Sequence, residues 1–295
     1  MANLKEIRTR IASVTSTRQI TSAMKMVAAA KLRKAQDTIT RLRPYSEKLT
    51  EILGAISDAL RQDEDNPFLK KREIEKILLV VITSNKGLCG NFNSSVIKVT
   101  NRIANDKYRD QKMNQSLDLL IIGKKASDHF KKRDFNIFKT DNEIIDNINY
   151  EDTSKLAEEI INLFLDGTYD HVDLIYNQFI NPAVQKLTVE QYLPLEVEEP
   201  QEDIVPSTFI DYIFEPSKKY IVDELIPKSL RLQFHKALLD SNASEHGARM
   251  TAMHKATDNA TELLKELRLD YNKARQASIT NEILEIVSGA NALEG

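Results

Sequence analysis

One cysteine, five histidines and one loop with two glycines are where covalent, metal or phosphate chemistry would have to start in this 295-residue chain. The loop is Thr83-Ser84-Asn85-Lys86-Gly87-Leu88-Cys89-Gly90-Asn91. It follows an apolar strand-like run and opens a helical one, which is where open α/β sheets hold ligands. It has neither G-x-G-x-x-G nor G-x-x-x-x-G-K-[ST] spacing, so it lacks the usual phosphate cradles. Gly87 and Gly90 therefore read first as turn residues that supply permitted backbone angles, with a nucleotide site as the alternative. Cys89 has no base beside it in sequence and reads as a packed thiol. Standing alone, it forms no internal disulfide, and a reducing compartment is expected. His129, His171, His235, His246 and His254 form no H-x-x-x-H pair with a carboxylate, the spacing a helical zinc site needs. The residues alone predict no catalytic group, metal or cofactor.

The elements that flank this loop are more informative. From Leu4 onward, positions step by three and four: Leu4, Ile7, Ile11, Val14, Arg18, Thr21, Lys25, Ala28, Leu32, Ala35, Ile39, Leu42, Ser46, Leu49, Leu53, Ile56, Leu60. Thirteen of these seventeen are apolar, the pattern of a coiled-coil seam. Met253, Ala256, Ala260, Leu263, Leu267, Ala274, Ala277 and Leu284 step likewise. A 60-residue helix is roughly 90 Å long, too long for a small globule. The simplest packing is an antiparallel pair with a left-handed supercoil, close-packed where the second seam is alanine-rich.

Between the rods, Lys76–Thr83, Leu117–Gly123 and His171–Phe179 read as buried strands. Phe92–Tyr108, Lys124–Arg133 and Thr153–Leu165 read as helices, with Phe135–Lys139 as a possible edge strand. Such alternation predicts a doubly wound, Rossmann-like α/β domain. Gln185–Leu193 and Thr208–Phe214 read as further strands around an acidic loop, Glu196–Asp203. Expected domains are 1–60 (first rod), 74–214 (α/β) and 216–289 (second rod). Pro44 and Pro227 predict bends, Pro216 a helix start and Gly289 a helix end.

Charge is unevenly spread. The net is −3, yet residues 1–60 carry eleven Lys/Arg against five Asp/Glu. That basic face is either a solvated helix flank or a counter-surface for acidic groups of protein or nucleic acid. Polar seam positions at Arg18, Thr21 and Lys25 favour the second reading locally; composition leaves both open. The longest apolar run, Ile77–Ile82, is far shorter than the roughly 20 residues a bilayer span needs. Any membrane association is expected to come through partners. The first residues lack the apolar core of a secretion signal.

Both ends resemble one known family. KEIRTRIASVTSTRQITSAMKMVAAAKLRKAQ is similar to the N-terminal helix of the gamma subunit of F-type rotary ATP synthases. SNKGLCGNFN resembles that family's first strand-to-helix turn. ASEHGARMTAMHKATDNA and YNKARQASITNEILEIVSGANAL resemble its C-terminal helix, and the likeness spans about Leu4 to Leu293. It implies a non-catalytic rotor shaft of a bacterial proton-translocating ATP synthase. Partners would be three alpha and three beta subunits around the shaft, an epsilon subunit and the membrane c-ring. No nucleic acid or small-molecule substrate is implied, and nucleotides and Mg²⁺ would belong to alpha and beta. The implied location is peripheral, on the cytoplasmic face of the inner membrane. By position, Met24 and Lys25 would meet beta's acidic lever, with Arg249 the matching arginine of the second rod. Gln276 and Thr280 would meet a loop of beta, and Ile283, Leu284, Ile286 and Val287 would fill an apolar collar. Gly87, Cys89 and Gly90 remain a structural loop. Gly247 stands where the family commonly has alanine. Two other readings stay open: a free-standing α/β enzyme using the Gly87–Gly90 loop, and a nucleic-acid-binding arm.

Overall fold

The computed structural model describes residues 4–55, 67–69, 72–195 and 218–294. The end of the first rod up to Leu60, most of the exit loop after Gln62, the acidic loop, the Thr208–Phe214 strand and Pro216 lie outside the described residues. In chain order the elements are α1 (Leu4–Ala55), β1 (Ile77–Ile82), α2 (Phe92–Asp106), α3 (Arg109–Met113), β2 (Leu117–Ile122), α4 (Lys124–Phe130), β3 (Asn136–Asp141), α5 (Tyr150–Leu165), β4 (His171–Asn181), β5 (Val184–Leu193) and α6 (Lys218–Glu294). They form two compact units, Ala30–Ala248, and Met1–Ala29 with Arg249–Gly295. No described helix is long and apolar enough to cross a membrane.

In the larger unit, a five-stranded sheet runs β3-β2-β1-β4-β5. β1 pairs in parallel with β2 and β4, β2 with β3, and only β5 is antiparallel, against β4. The continuous apolar run of β1 fits its place, since all six residues are buried and a central parallel strand is covered on both faces. Alternation along the strand divides its side chains between two cores. Leu78, Val80 and Ile82 join Leu156, Ile160 and Phe164 of α5 and Leu230, Phe234 and Leu238 of α6. Ile77, Leu79 and Val81 join Val96 and Ala104 of α2 and Phe130 of α4.

Local chemistry sets the boundaries. α5 begins three residues before the expected Thr153, because Asn149 caps it: its Oδ1 accepts from the Asp152 amide at 2.8 Å. Glu151 and Asp152 then sit in the first turn, where the helix dipole favours acid. β5 forms a hairpin with β4 that reaches past β1; Val189 still pairs with Ile175, but Gln185 pairs with Phe179 beyond the last β1 partner. Gly247 on α6 makes room for that hairpin. A Cβ there would lie 3.2 Å from the Pro182 carbonyl oxygen. Gly289 does not end its helix: α6 continues to Glu294 and passes through Pro227 as well. Glycine in a helix costs only about 1 kcal/mol relative to alanine, and the alanines and leucine beyond it favour continuation.

α6 also buries a polar stripe in this unit: Asp240, Ser241, Ser244, Glu245 and His246. Asp240 is the least comfortable of these groups. Burial raises its carboxyl to about 6, and Glu190 adds to that push while Lys236 and Arg43 oppose it. A carboxyl whose folded value exceeds its unfolded one destabilises the fold once ionised. Stability through this group therefore falls as pH rises from about 4 to 6, and the penalty is complete at pH 7. Asp240→Asn should stabilise the chain by on the order of 1 kcal/mol at pH 7.5 and flatten the stability slope between pH 4 and 6. Urea melts at both pH values measure this; destabilisation of the variant at pH 7.5 would show that the ionised carboxylate is a net favourable partner of Arg43 and Lys236.

In the smaller unit, the two terminal helices pair antiparallel. Thr257 Oγ1 donates to Thr21 Oγ1 at 2.9 Å, and Lys25 Nζ lies 3.4 Å from His254 Nδ1. Sequence numbers therefore rise along α1 as they fall along α6. Ile7, Thr21 and Ala28 are buried on α1, and Met253, Ala260, Leu264 and Leu267 on α6, the sevenfold spacing of a coiled-coil seam.

Candidate rotor-contact surfaces and the central loop

The loop after β1 is closed by its own side chains. Asn85 Oδ1 accepts from the Lys124 amide at 2.9 Å, and Thr83 Oγ1 accepts from the Ala126 amide at 3.1 Å. These are first-turn donors of α4, which would otherwise be the groups to face an anion. Asn85 Nδ2 donates to the Asn142 carbonyl at 2.6 Å and to Asp146 Oδ2 at 2.8 Å. Ser84 is held by Asn93, whose Oδ1 accepts from the Ser84 amide at 2.9 Å. Cys89 is buried with Phe92 and Ala248, and Asn93 Nδ2 lies 3.2 Å from its sulfur. Gly90 sits at φ +60 with open space around its Cβ position, and a Cβ at Gly87 would meet the Lys125 side chain at 3.8 Å. Leu88, between them, also has positive φ, 61°. The loop is a set of tight turns held by amides and hydroxyls. Among the described residues, no group of three or more His, Cys, Asp or Glu is placed to hold a metal ion.

At the opposite end of the strands, sequence reasoning missed a buried network. Asp173 accepts from Tyr108 Oη at 2.7 Å, and its other oxygen lies 2.9 Å from His171 Nε2. Lys107 Nζ approaches to 3.6 Å. Burial pushes the Asp173 carboxyl up, but the bonds from His171 and Tyr108 and the Lys107 charge outweigh it and hold it below the ordinary carboxylate value. The sequence placed Asp173 in a buried strand, but nothing in it paired this residue with Tyr108.

The residues singled out on the rods form two groups. Met24 and Lys25 are half-buried on α1, and Lys25 meets His254, itself 3.3 Å from Asp258. Thr21 meets Thr257. Two of the three polar seam positions thus bond across the pair. Arg249 is buried, at 8% exposure. The second group lies about 40 Å further along α6 at 1.5 Å per residue. Gln276 and Thr280 are exposed, and the Thr280 hydroxyl donates to the Gln276 carbonyl at 2.9 Å. Ile279, Ile283, Leu284, Ile286 and Val287 are 47–71% exposed. Extending the Thr21–Thr257 register sets Leu4 opposite about Ala274, so these side chains project past the described part of α1. This overturns the expected place of Ala277 and Leu284 in the seam, since both are exposed. Five large apolar side chains exposed within nine residues form a patch of the kind that marks an interaction site.

Known proteins share this architecture. A family model described as ATP synthase matches residues 3–293. The ATP synthase gamma chain of Christiangramia forsetii is 56% identical over 295 residues, covering all of both chains. That of Chlorobium phaeobacteroides is 45% identical over 297 residues, again covering both fully. Among solved structures, a chain of the Euglena gracilis mitochondrial ATP synthase in rotational state 3 aligns with a TM-score of 0.71 at 21% identity, over 98% of this chain and 94% of that one. A rotor chain of the same enzyme in rotational state 1 gives 0.66 at 22% identity, over 94% and 98%. Those two likenesses speak to the fold: long terminal helices around a mainly parallel sheet. The full-length identity to curated gamma chains speaks to descent, and by it this chain belongs to the ATP synthase gamma chain family.

Proposed function

We propose that this chain is the central rotor shaft of a bacterial F-type ATP synthase. It turns inside a ring of three alpha and three beta subunits and couples ion flow through a membrane c-ring to ATP synthesis or hydrolysis. The observation that carries this reading is 56% identity across the whole chain to an ATP synthase gamma chain. It has no catalytic role by itself; nucleotide and Mg²⁺ stay with alpha and beta. Residues 1–60 and 216–289 serve as the shaft and 74–214 as the foot, against epsilon and the c-ring. The complex sits peripherally on the cytoplasmic face of the inner membrane.

The mechanism needs an asymmetric rod in a threefold socket. Each face of the rod then favours a different state of an otherwise equivalent subunit, and rotation shifts those populations in turn. The exposed apolar ridge of Ile283, Leu284, Ile286 and Val287 acts as a bearing collar, because dispersion contacts hold a rod without fixing its angle. Gln276 and Thr280 meet beta just below it, and Met24 and Lys25 meet beta's acidic lever lower down, with Arg249 the contact arginine of the second rod.

The test uses the assembled complex in membrane vesicles. Ile283→Asp with Ile286→Asp should leave the helix intact, as both side chains are exposed. Proton-driven ATP synthesis should fall at least about tenfold, the effect of losing roughly 1.4 kcal/mol of differential contact. Lys25→Glu should lower it about fivefold, on the scale of one ion pair. Wild-type synthesis and full coupling in both variants would remove these residues from the contact surface. A chain that never co-purifies with alpha and beta would remove the rotor reading itself.

A further inference from the structure

The end of the sheet where β1 to β4 begin carries a surface that the shaft reading does not use. α3 and the turn before β3 meet there. Lys112 Nζ lies over the Phe135 ring at 4.2 Å, and Asn136 Nδ2 donates to the Gln115 carbonyl at 3.1 Å. Between them is a depression of about 450 Å³ lined by Arg109, Lys112, Met113, Asp134 and Phe135, among others. Met113 stands at its rim and is 72% exposed, the highest value of any large apolar side chain described. Lys131, Lys132 and Arg133 follow α4 directly and are all exposed. Arg133 is steadied by His129, to whose carbonyl oxygen it donates at 3.4 Å. Asp110 and Asp134 lie among these five cations, and exposed Asp106 and Asp128 stand three residues from Arg109 and Lys131, so the excess is modest but positive.

We propose that this basic, methionine-tipped face is a contact for the anionic phospholipid headgroups of a bilayer surface. Two features select that partner. A flexible, unbranched apolar side chain amid cations suits a surface offering phosphate oxygens above acyl chains. Lysine and arginine near an anionic leaflet each gain free energy without a fixed ligand geometry, which fits cations spread over α3 and the turn after α4 rather than converging on one point. Nucleic acid fits less well, because Phe135, the aromatic ring here, is covered by Lys112 and cannot stack on a base. The contact is peripheral and adds to any association through partner subunits. It does not depend on the shaft reading.

The experiment is flotation of the full chain with vesicles of phosphatidylglycerol and phosphatidylcholine, and with phosphatidylcholine alone, at low and high salt. Binding is expected only to the anionic vesicles and should weaken as salt screens it. Lys131→Gln/Lys132→Gln/Arg133→Gln should lower the partition roughly a hundredfold, at about fivefold per cation. Met113→Ser should lower it several-fold at unchanged charge. Arg8→Gln/Arg10→Gln, which removes two cations from the basic face of α1, should leave it unchanged. No binding to anionic vesicles, equal binding to both vesicle types, or equal loss in the α1 variant would overturn the proposal. So would displacement from vesicles by duplex DNA or polyglutamate at equal charge, which would mean general polyanion binding. Circular dichroism and melting of each variant confirm that the fold is kept.

Discussion

Gly123→Ala is expected to be the most damaging single-methyl change in the α/β unit, costing about 4 kcal/mol. Gly123 ends β2 at φ +102, and a Cβ there would sit 2.2 Å from the Thr83 carbonyl oxygen and 2.6 Å from its carbon. The clashing atoms are backbone, and that backbone is pinned. The Thr83 amide donates to the Ile122 carbonyl at 2.8 Å, and β1 just before it is buried at every position. Relief would have to break the β1–β2 ladder or the Thr83 cap on α4. Steric overpacking typically costs 1–3 kcal/mol, and the left-handed backbone adds 1–2 for any residue with a Cβ. Gly90→Ala is the control: its φ is +60, but nothing lies within 4 Å of the added carbon, so about 1 kcal/mol is expected. Urea unfolding of the two variants compares them directly. Equal midpoints would show that β1 yields at Thr83.

Asp173→Ala should destabilise the same unit by about 3 kcal/mol. The substitution leaves Tyr108 Oη and His171 Nε2 buried and without their shared acceptor, and unsatisfied buried polar groups cost 1–3 kcal/mol each. The pH dependence gives a second reading. The native carboxyl lies below its ordinary value. Its contribution is therefore complete above the unfolded value near 4 and is lost as pH falls through the lower native value. The difference in unfolding free energy between the wild type and Asp173→Ala should hold steady from pH 7 to about 5 and shrink below 4. A difference that stayed constant down to pH 3 would show that the network does not depend on the ionised form. Together with Asp240, which relieves its penalty in the window from 6 down to 4, these two groups place the greatest stability at about pH 4 to 5.

The amino-acid pattern by itself determined the architecture. The unbroken apolar run at Ile77–Ile82 could only be a central strand, since six buried residues in a row need cover on both faces, and Leu117–Ile122 follows suit with Asp118 alone half-buried. The three-four spacing traced the seam of α1 from Leu4 to Leu49, because the positions it picked there are buried or half-buried. On α6 it found Met253, Ala260 and Leu267, which are buried, but it stepped through Leu263 where Leu264 is the buried residue, and it ran on to Ala277 and Leu284, which are exposed. The missing step is Thr257, polar yet facing Thr21. Hydrophobic periodicity cannot register a polar seam residue whose partner lies 236 positions away.

The tertiary structure decided what chemistry the polar residues could do. Asn85 and Thr83 look in sequence like loop residues free to meet a ligand. In space they bond to the first turn of α4, the helix after the neighbouring strand β2. Gly247 looks like a weak point in a helix and proves to be where a Cβ would lie 3.2 Å from the Pro182 carbonyl oxygen of the β4–β5 hairpin. Asp173 joins Tyr108, and Asp240 meets the charges of Arg43 and Glu190, only because chain crossing brings distant positions together. Local propensity and periodicity are properties of neighbours along the chain, so a sequence states them outright. Hydrogen-bond partners, close approaches and shifted carboxyls are properties of neighbours in space, and they exist only once the sheet has ordered its strands.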